Sequence, residues 1–199
     1  MKTIRIVIIT LLVLSFTSCK KEVKKEPAKF SVEQKTITIN WTAYKTTDKV
    51  PVKGKFEEIK VSNVKEAETS IDALNNAKFE IPISSLNSNN EERDSKLKNL
   101  FFGVLEATVS LTGTLHLNTD GSGNINLKMN GIEETIPITY VASGQIVNIS
   151  GTMNLDKWSV AKAIISLNEA CNEKHKGEDG ISKTWTEVEI DAIIYLKKE

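Results

Sequence analysis

From Thr36 onward, apolar side chains recur at every second position. Ile37, Ile39 and Trp41 alternate with Thr36, Thr38 and Asn40, and Phe79, Ile81 and Ile83 alternate with Glu80 and Pro82. Val109, Leu111, Leu115 and Leu117 share one parity, while Thr108, Ser110, Thr112, Thr114 and His116 take the other. Ile125-Leu127-Met129, Val147-Ile149-Met153-Leu155 and Val188-Ile190-Ala192-Ile194 continue the series. Successive side chains of a strand point to opposite sides, so each row predicts a strand with one buried and one wet face. Many such strands in one domain point to an antiparallel sandwich or barrel.

The connections carry turn chemistry. Asn118-Thr119-Asp120-Gly121-Ser122-Gly123 separates two alternating runs, and Ala142-Ser143-Gly144 closes a later pair. Asn130-Gly131 stands between Met129 and the run Ile132 to Tyr140, where both turn residues must accept a positive φ. Short turns between consecutive strands favour a meander, and a meander that closes on itself is an up-and-down barrel. Two segments break the period. Ser84 to Phe102 is polar and then helical around Leu97, Leu100 and Phe101. Asp156 to Cys171 places Trp158, Ala161, Ile164, Ile165 and Leu167 at helical spacing, with Asp156 as the expected cap. Both are expected as short helices at a barrel mouth.

Composition narrows the functions. The chain has 199 residues, 40% hydrophobic, with 26 basic side chains against 26 acidic ones. Zero net charge argues against nucleic acid as a partner, because that affinity comes largely from cations neutralising phosphates. Two histidines and two cysteines argue against a zinc centre or a disulfide framework. Cys171 and His175 lie one helical turn apart, and that pair alone is read as incidental. Neither a Gly-x-Ser-x-Gly elbow nor a His-Glu-x-x-His helix is present. Gly54-Lys55 lacks the glycine at position 49 that a phosphate-binding loop needs. Glu187, Glu189 and Asp191 alternate on the last strand and read as a solvated outer face. No catalytic residue is expected.

The N-terminus reads as an address. Lys2 and Arg5 precede an apolar run from Ile6 to Leu14, too short for a membrane span, which needs roughly 20 residues. Thr17-Ser18-Cys19 resembles the lipobox of bacterial lipoproteins, whose cysteine becomes the acylated first residue. The expected organisation is a signal peptide over 1–18, lipidated Cys19 with a charged tether over 19–34, and one domain over 35–199. Removal of Lys2 and Arg5 leaves 24 basic against 26 acidic residues, a net of −2. A lipidated Cys19 also leaves Cys171 without a disulfide partner. Lys20, in place of the aspartate associated with inner-membrane retention, points to the outer membrane. The domain is then expected in the periplasm or at the cell surface.

Three ordered segments carry a resemblance. They are Trp41-Thr42-Ala43-Tyr44-Lys45-Thr46 with Val52-Lys53-Gly54-Lys55-Phe56, then Asn90 to Leu97 running into Phe101-Phe102, then Met129 to Ile138. Together they resemble the YceI-like polyisoprenoid-binding family. The chain departs from that pattern at Lys98-Asn99-Leu100, over Val104 to Thr108, and at Lys157, where relatives carry arginine. The resemblance implies an all-β fold: an extended, lipocalin-like antiparallel β-barrel of about eight strands with one or two short helices. It also implies an apolar channel for a polyisoprenoid, an isoprenoid quinone or a similar amphiphilic lipid as ligand, with no cofactor. A homodimer fits the resemblance.

On that reading the inward residues Ile37, Ile39, Trp41, Phe79, Val109, Leu111 and Ile149 line the channel. Phe101 and Phe102 either edge its entrance or belong to the core. Trp158 either caps the mouth or is buried by its own amphipathic helix. Arg93 is the polar candidate, because a guanidinium suits a phosphate or a quinone oxygen. Its bland reading is an ion pair with Glu91, Glu92 or Asp94. The competing function is a non-catalytic interaction module whose barrel is filled by side chains.

Overall fold

The computed structural model describes residues 29–199. The signal peptide, Cys19 and the tether as far as Ala28 therefore lie outside the described residues. Ten antiparallel strands form one sheet: β1 (Phe30–Lys45), β2 (Val50–Phe56), β3 (Lys60–Ser62), β4 (Lys78–Pro82), β5 (Leu86–Asn87), β6 (Ser110–Leu117), β7 (Ser122–Met129), β8 (Ile132–Ser143), β9 (Ile146–Asn154) and β10 (Thr184–Lys198). Their order is β3-β4-β6-β7-β8-β9-β10-β1-β2-β5, so β6 to β10 run as the meander expected from the turns. Phe30, Ser31 and Val32 already pair with Lys198, Lys197 and Leu196. β1 thus begins five residues before position 35.

The sheet curls into a half-barrel whose ends are two interrupted strands lying side by side. β2 continues through residues 57–59 into β3, and β4 continues through a 3-10 turn, Ile83–Ser85, into β5. β2 pairs with β5 and β3 pairs with β4, and across the break Glu57 N–H donates to the Ser85 carbonyl at 3.0 Å. Phe56 faces Leu86, but Lys60 faces Glu80: four steps on one chain against six on the other. The 3-10 turn absorbs the two extra residues. Merging each interrupted pair leaves eight staves, the number expected for a lipocalin-like barrel.

Close approaches shape the inner wall. Gly54 lies opposite Trp41, and a Cβ there would sit 2.2 Å from the indole; Gly113 lies opposite Phe79, where a Cβ would sit 2.5 Å from the ring. Each aromatic ring therefore lies flat across a glycine that no larger residue could replace without moving it. Where β1 starts and β10 finishes, the barrel is packed solid by Phe30, Leu117, Ile138, Val147 and Leu196, with helix α1 (Ser70–Leu74) beside them.

The opposite end carries the helices. α2 (Glu91–Lys96) is capped by Asn90, whose Oδ1 accepts from Arg93 N–H, and it widens into a π-helical turn, Leu97–Phe101. The second helical segment divides. Asn154 rather than Asp156 caps a 3-10 turn, Leu155–Trp158, and a left-handed Ser159 (φ 54°) separates it from α3 (Ala161–Ala170). A short α4 (Asn172–His175) follows. Asn130 at φ 52° and Gly131 at φ 73° form the expected tight turn. Its Asn130 side chain also accepts from Glu106 N–H and donates to the Trp158 carbonyl, tying two loops to the hairpin.

Candidate functional site: an apolar lumen

Inward positions of β1, β6, β9 and β10 meet across the barrel without filling it. Ile37, Ile39, Phe79, Ile125, Val188, Ile190 and Ala192 point inward yet stay only partly buried. They keep accessible surface because they face a cavity of about 230 Å³. Along β10 its wall reaches from Thr184 to Ile194, ten steps or about 33 Å at a strand's rise. Leu74 and Ala77 lie on it toward the packed end, and Leu97, Phe101, Phe102, Ile164 and Leu167 toward the helices. The Phe101 and Phe102 rings meet edge to face, 4.9 Å apart and at 89°.

Eight of the residues expected to contact ligand lie on this wall: Ile37, Ile39, Trp41, Phe79, Phe101, Phe102, Leu111 and Ile149. Three do not. Val109 shares the parity of Leu111 but is 81% exposed, because it precedes the first residue of β6 and its carbonyl accepts from Ile83 N–H. Trp158 is fully buried behind the wall, its Nε1–H donating to the Leu127 carbonyl at 3.1 Å. Arg93 turns its guanidinium onto Ser88, with Nε to Oγ at 2.8 Å and Nη2 to the carbonyl at 2.9 Å. Ser88 in turn donates to Asp94 Oδ1. Arg93 thus braces the entry to α2, close to its bland reading but through Ser88 rather than by an ion pair.

Ile59, Leu86 and Trp185 on the wall carry no signal of their own in the sequence, and Phe56 enters it only as the end of the Val52–Phe56 segment of the resemblance. They belong to the interrupted strands and to the irregular start of β10. The last strand's row, Val188 to Ile194, was legible as a strand, and its inner face proves to be wall.

The helical end also carries the polar rim. Trp185 Nε1–H donates to the Thr46 carbonyl at 2.7 Å, and the Lys183 and Lys49 ammonium groups stand 3.4 and 5.0 Å from its ring. Lys49 pairs with Glu187 at 2.8 Å. Tyr44 donates to Glu189 at 2.5 Å, and that bond to a carboxylate pushes the phenol up to about 12. Glu92, held by Lys174 and Lys96, falls to about 2 and ties α2 to α4.

His175 is tucked beneath this rim. The Thr184 hydroxyl donates to Asn168 Oδ1, so it accepts from His175 Nδ1–H at 2.7 Å. Burial lowers the imidazole below its ordinary 6.5, and the Lys45 and Lys96 charges lower it further. A proton-coupled NMR titration is therefore expected to place the His175 midpoint below 6.5 in the folded chain. The fold favours neutral imidazole. The stability this confers is present above 6.5 and is lost as pH falls through the folded value. A midpoint at or above 6.5 would contradict this placement of the ring.

A curled antiparallel half-barrel around an elongated apolar lumen defines a lipocalin-like protein. The family model described as the YceI-like domain matches residues 25–192, and the chain belongs to that family. The fold is similar to a polyisoprenoid binding domain from Saccharophagus degradans implicated in plant cell wall breakdown. The TM-score is 0.58 at 12% identity, covering 87% of this chain and 99% of that one. It is also similar to Burkholderia cenocepacia BcnA, with a TM-score of 0.55 at 14% identity, covering 84% and 99%. No curated protein matches the chain.

Proposed function

We propose that this protein is a non-catalytic lipid carrier, tethered to a cell-envelope membrane through acylated Cys19. Its lumen holds the tail of a polyisoprenoid, an isoprenoid quinone or a similar amphiphile. The observation that carries the reading is the lumen itself: inward apolar side chains that remain partly uncovered. At roughly 25 cal/mol per Å² of apolar surface removed from water, a buried tail supplies ample affinity without any reactive group. An interaction module would instead have its barrel filled by side chains. The polyisoprenoid-binding neighbour from Saccharophagus degradans has the same fold and supports the choice of ligand class. The Thr17-Ser18-Cys19 sequence supports the anchor, and Lys20 supports the outer membrane.

The test is organic extraction and mass spectrometry of the chain purified from a bacterial envelope. A stoichiometric isoprenoid or quinone is expected. A folded, monodisperse protein that carries no lipid, and takes up none when isoprenoids are added, overturns the proposal.

A further inference from the structure

Trp41 is 8% exposed, and its indole N–H is buried without any hydrogen-bond partner. Buried donors are paired in the great majority of cases, so an orphan on the wall of a binding cavity calls for an explanation. Three other polar side chains along the same wall are paired. Trp185 donates to Thr46, Thr184 to Asn168, and Asp191 accepts from Ser150. Thr46 Oγ1 is the other unpaired buried atom among the described residues, and it lies in the β1–β2 turn rather than on the wall.

The ring is fixed from behind. Cε2, the carbon that carries Nε1, would lie 2.6 Å from a Cβ at residue 54, so only glycine there lets the indole lie against β2. Trp41 stands four residues from the end of β1, about 13 Å along the strand. Its register partner on β10 is Ile190, with Val188 and Ala192 on either side along the wall. In the empty lumen the N–H is covered by its neighbours. A ligand oxygen therefore reaches it only if the indole turns toward these partly buried side chains.

We propose that Trp41 is the hydrogen-bond donor that selects a neutral, oxygen-bearing isoprenoid, such as a quinone, and seats its oxygen deep in the lumen. This rests on the lipid-carrier reading and deepens it. The wall contains no lysine or arginine. An unpaired phosphate head at this depth would face a desolvation cost far above that of a neutral carbonyl. A pure hydrocarbon would leave the N–H unpaired and gain nothing from it.

The experiment uses the full chain, stripped of lipid and labelled with ¹⁵N at its indoles, with a short-chain menaquinone and squalene as probes. Trp41→Phe assigns the signal. The Trp41 Nε1–H resonance is expected to move downfield with menaquinone and to stay in place with squalene. Trp41→Phe is expected to weaken menaquinone binding by about three- to tenfold, the worth of one hydrogen bond, and to leave squalene binding unchanged. Menaquinone filling the lumen without moving that resonance overturns the proposal. Equal weakening of both probes does so too, since it assigns the ring a packing role only. Uptake of neither probe overturns the lipid-carrier reading itself, and this inference with it.

Discussion

Ala192→Phe is expected to abolish lipid uptake while leaving the barrel folded. Ala192 pairs with Ile39 on one side and Ile149 on the other, so its Cβ points into the middle of the lumen. It is the smallest side chain in the inward row of β10 from Val188 to Leu196. A benzyl group there enters the 230 Å³ cavity rather than packed atoms. The usual overpacking cost of about 1–3 kcal/mol therefore marks the upper end of the expected destabilisation. The ligand loses both the volume and the continuity of its channel. Bound lipid per chain, read by extraction and mass spectrometry, is expected to fall more than tenfold, with an unchanged circular dichroism spectrum. Ile193→Phe supplies the control, because that residue faces outward and is 46% exposed. Full uptake by Ala192→Phe would remove the lumen as the binding site. Loss in both variants would mean that the outer face matters.

Much of this wall was legible because strand parity is a local property. Ile37, Ile39, Trp41, Leu111 and Ile149 were placed inward by alternation alone, and the structure has them there. Val109 shows where that logic stops. Parity continues past the end of a strand, but burial does not: Val109 stands just before β6 and is exposed. The interrupted staves were not legible for a related reason. Residues 57–59 and Ile83–Ser85 break the period, and only pairing between distant segments joins β2 to β3 and β4 to β5 across one barrel. α1 was missed although Thr69 and Asp72 carry a capping signal. Thr69 Oγ1 accepts from Asp72 N–H at 3.0 Å, but a helix of five residues is too short to show apolar spacing. Helical spacing also left Trp158 undecided, because a ring facing the core and a ring facing a cavity have the same period.

Trp158→Ala decides that question by stability. The side chain is wholly buried, its N–H is satisfied by Leu127, and its carbonyl receives the Asn130 side chain. Removing it leaves a cavity and takes one donor from the Leu127 carbonyl on β7. The expected cost is about 3–5 kcal/mol, the usual range for truncating a buried tryptophan. In a domain of this size that lowers Tm by roughly 6–20 °C, at about 2–4 °C per kcal/mol. Below the new Tm, lipid uptake is expected to match the parent, because Trp158 is not on the wall. Trp41→Phe should behave in the opposite way, altering ligand choice with little loss of Tm. The two indoles are similarly buried, and the difference lies in the hydrogen-bond state of each N–H. A Tm loss under about 3 °C for Trp158→Ala would contradict its place in the core. A loss of uptake at a temperature where the variant is folded would return Trp158 to the channel mouth.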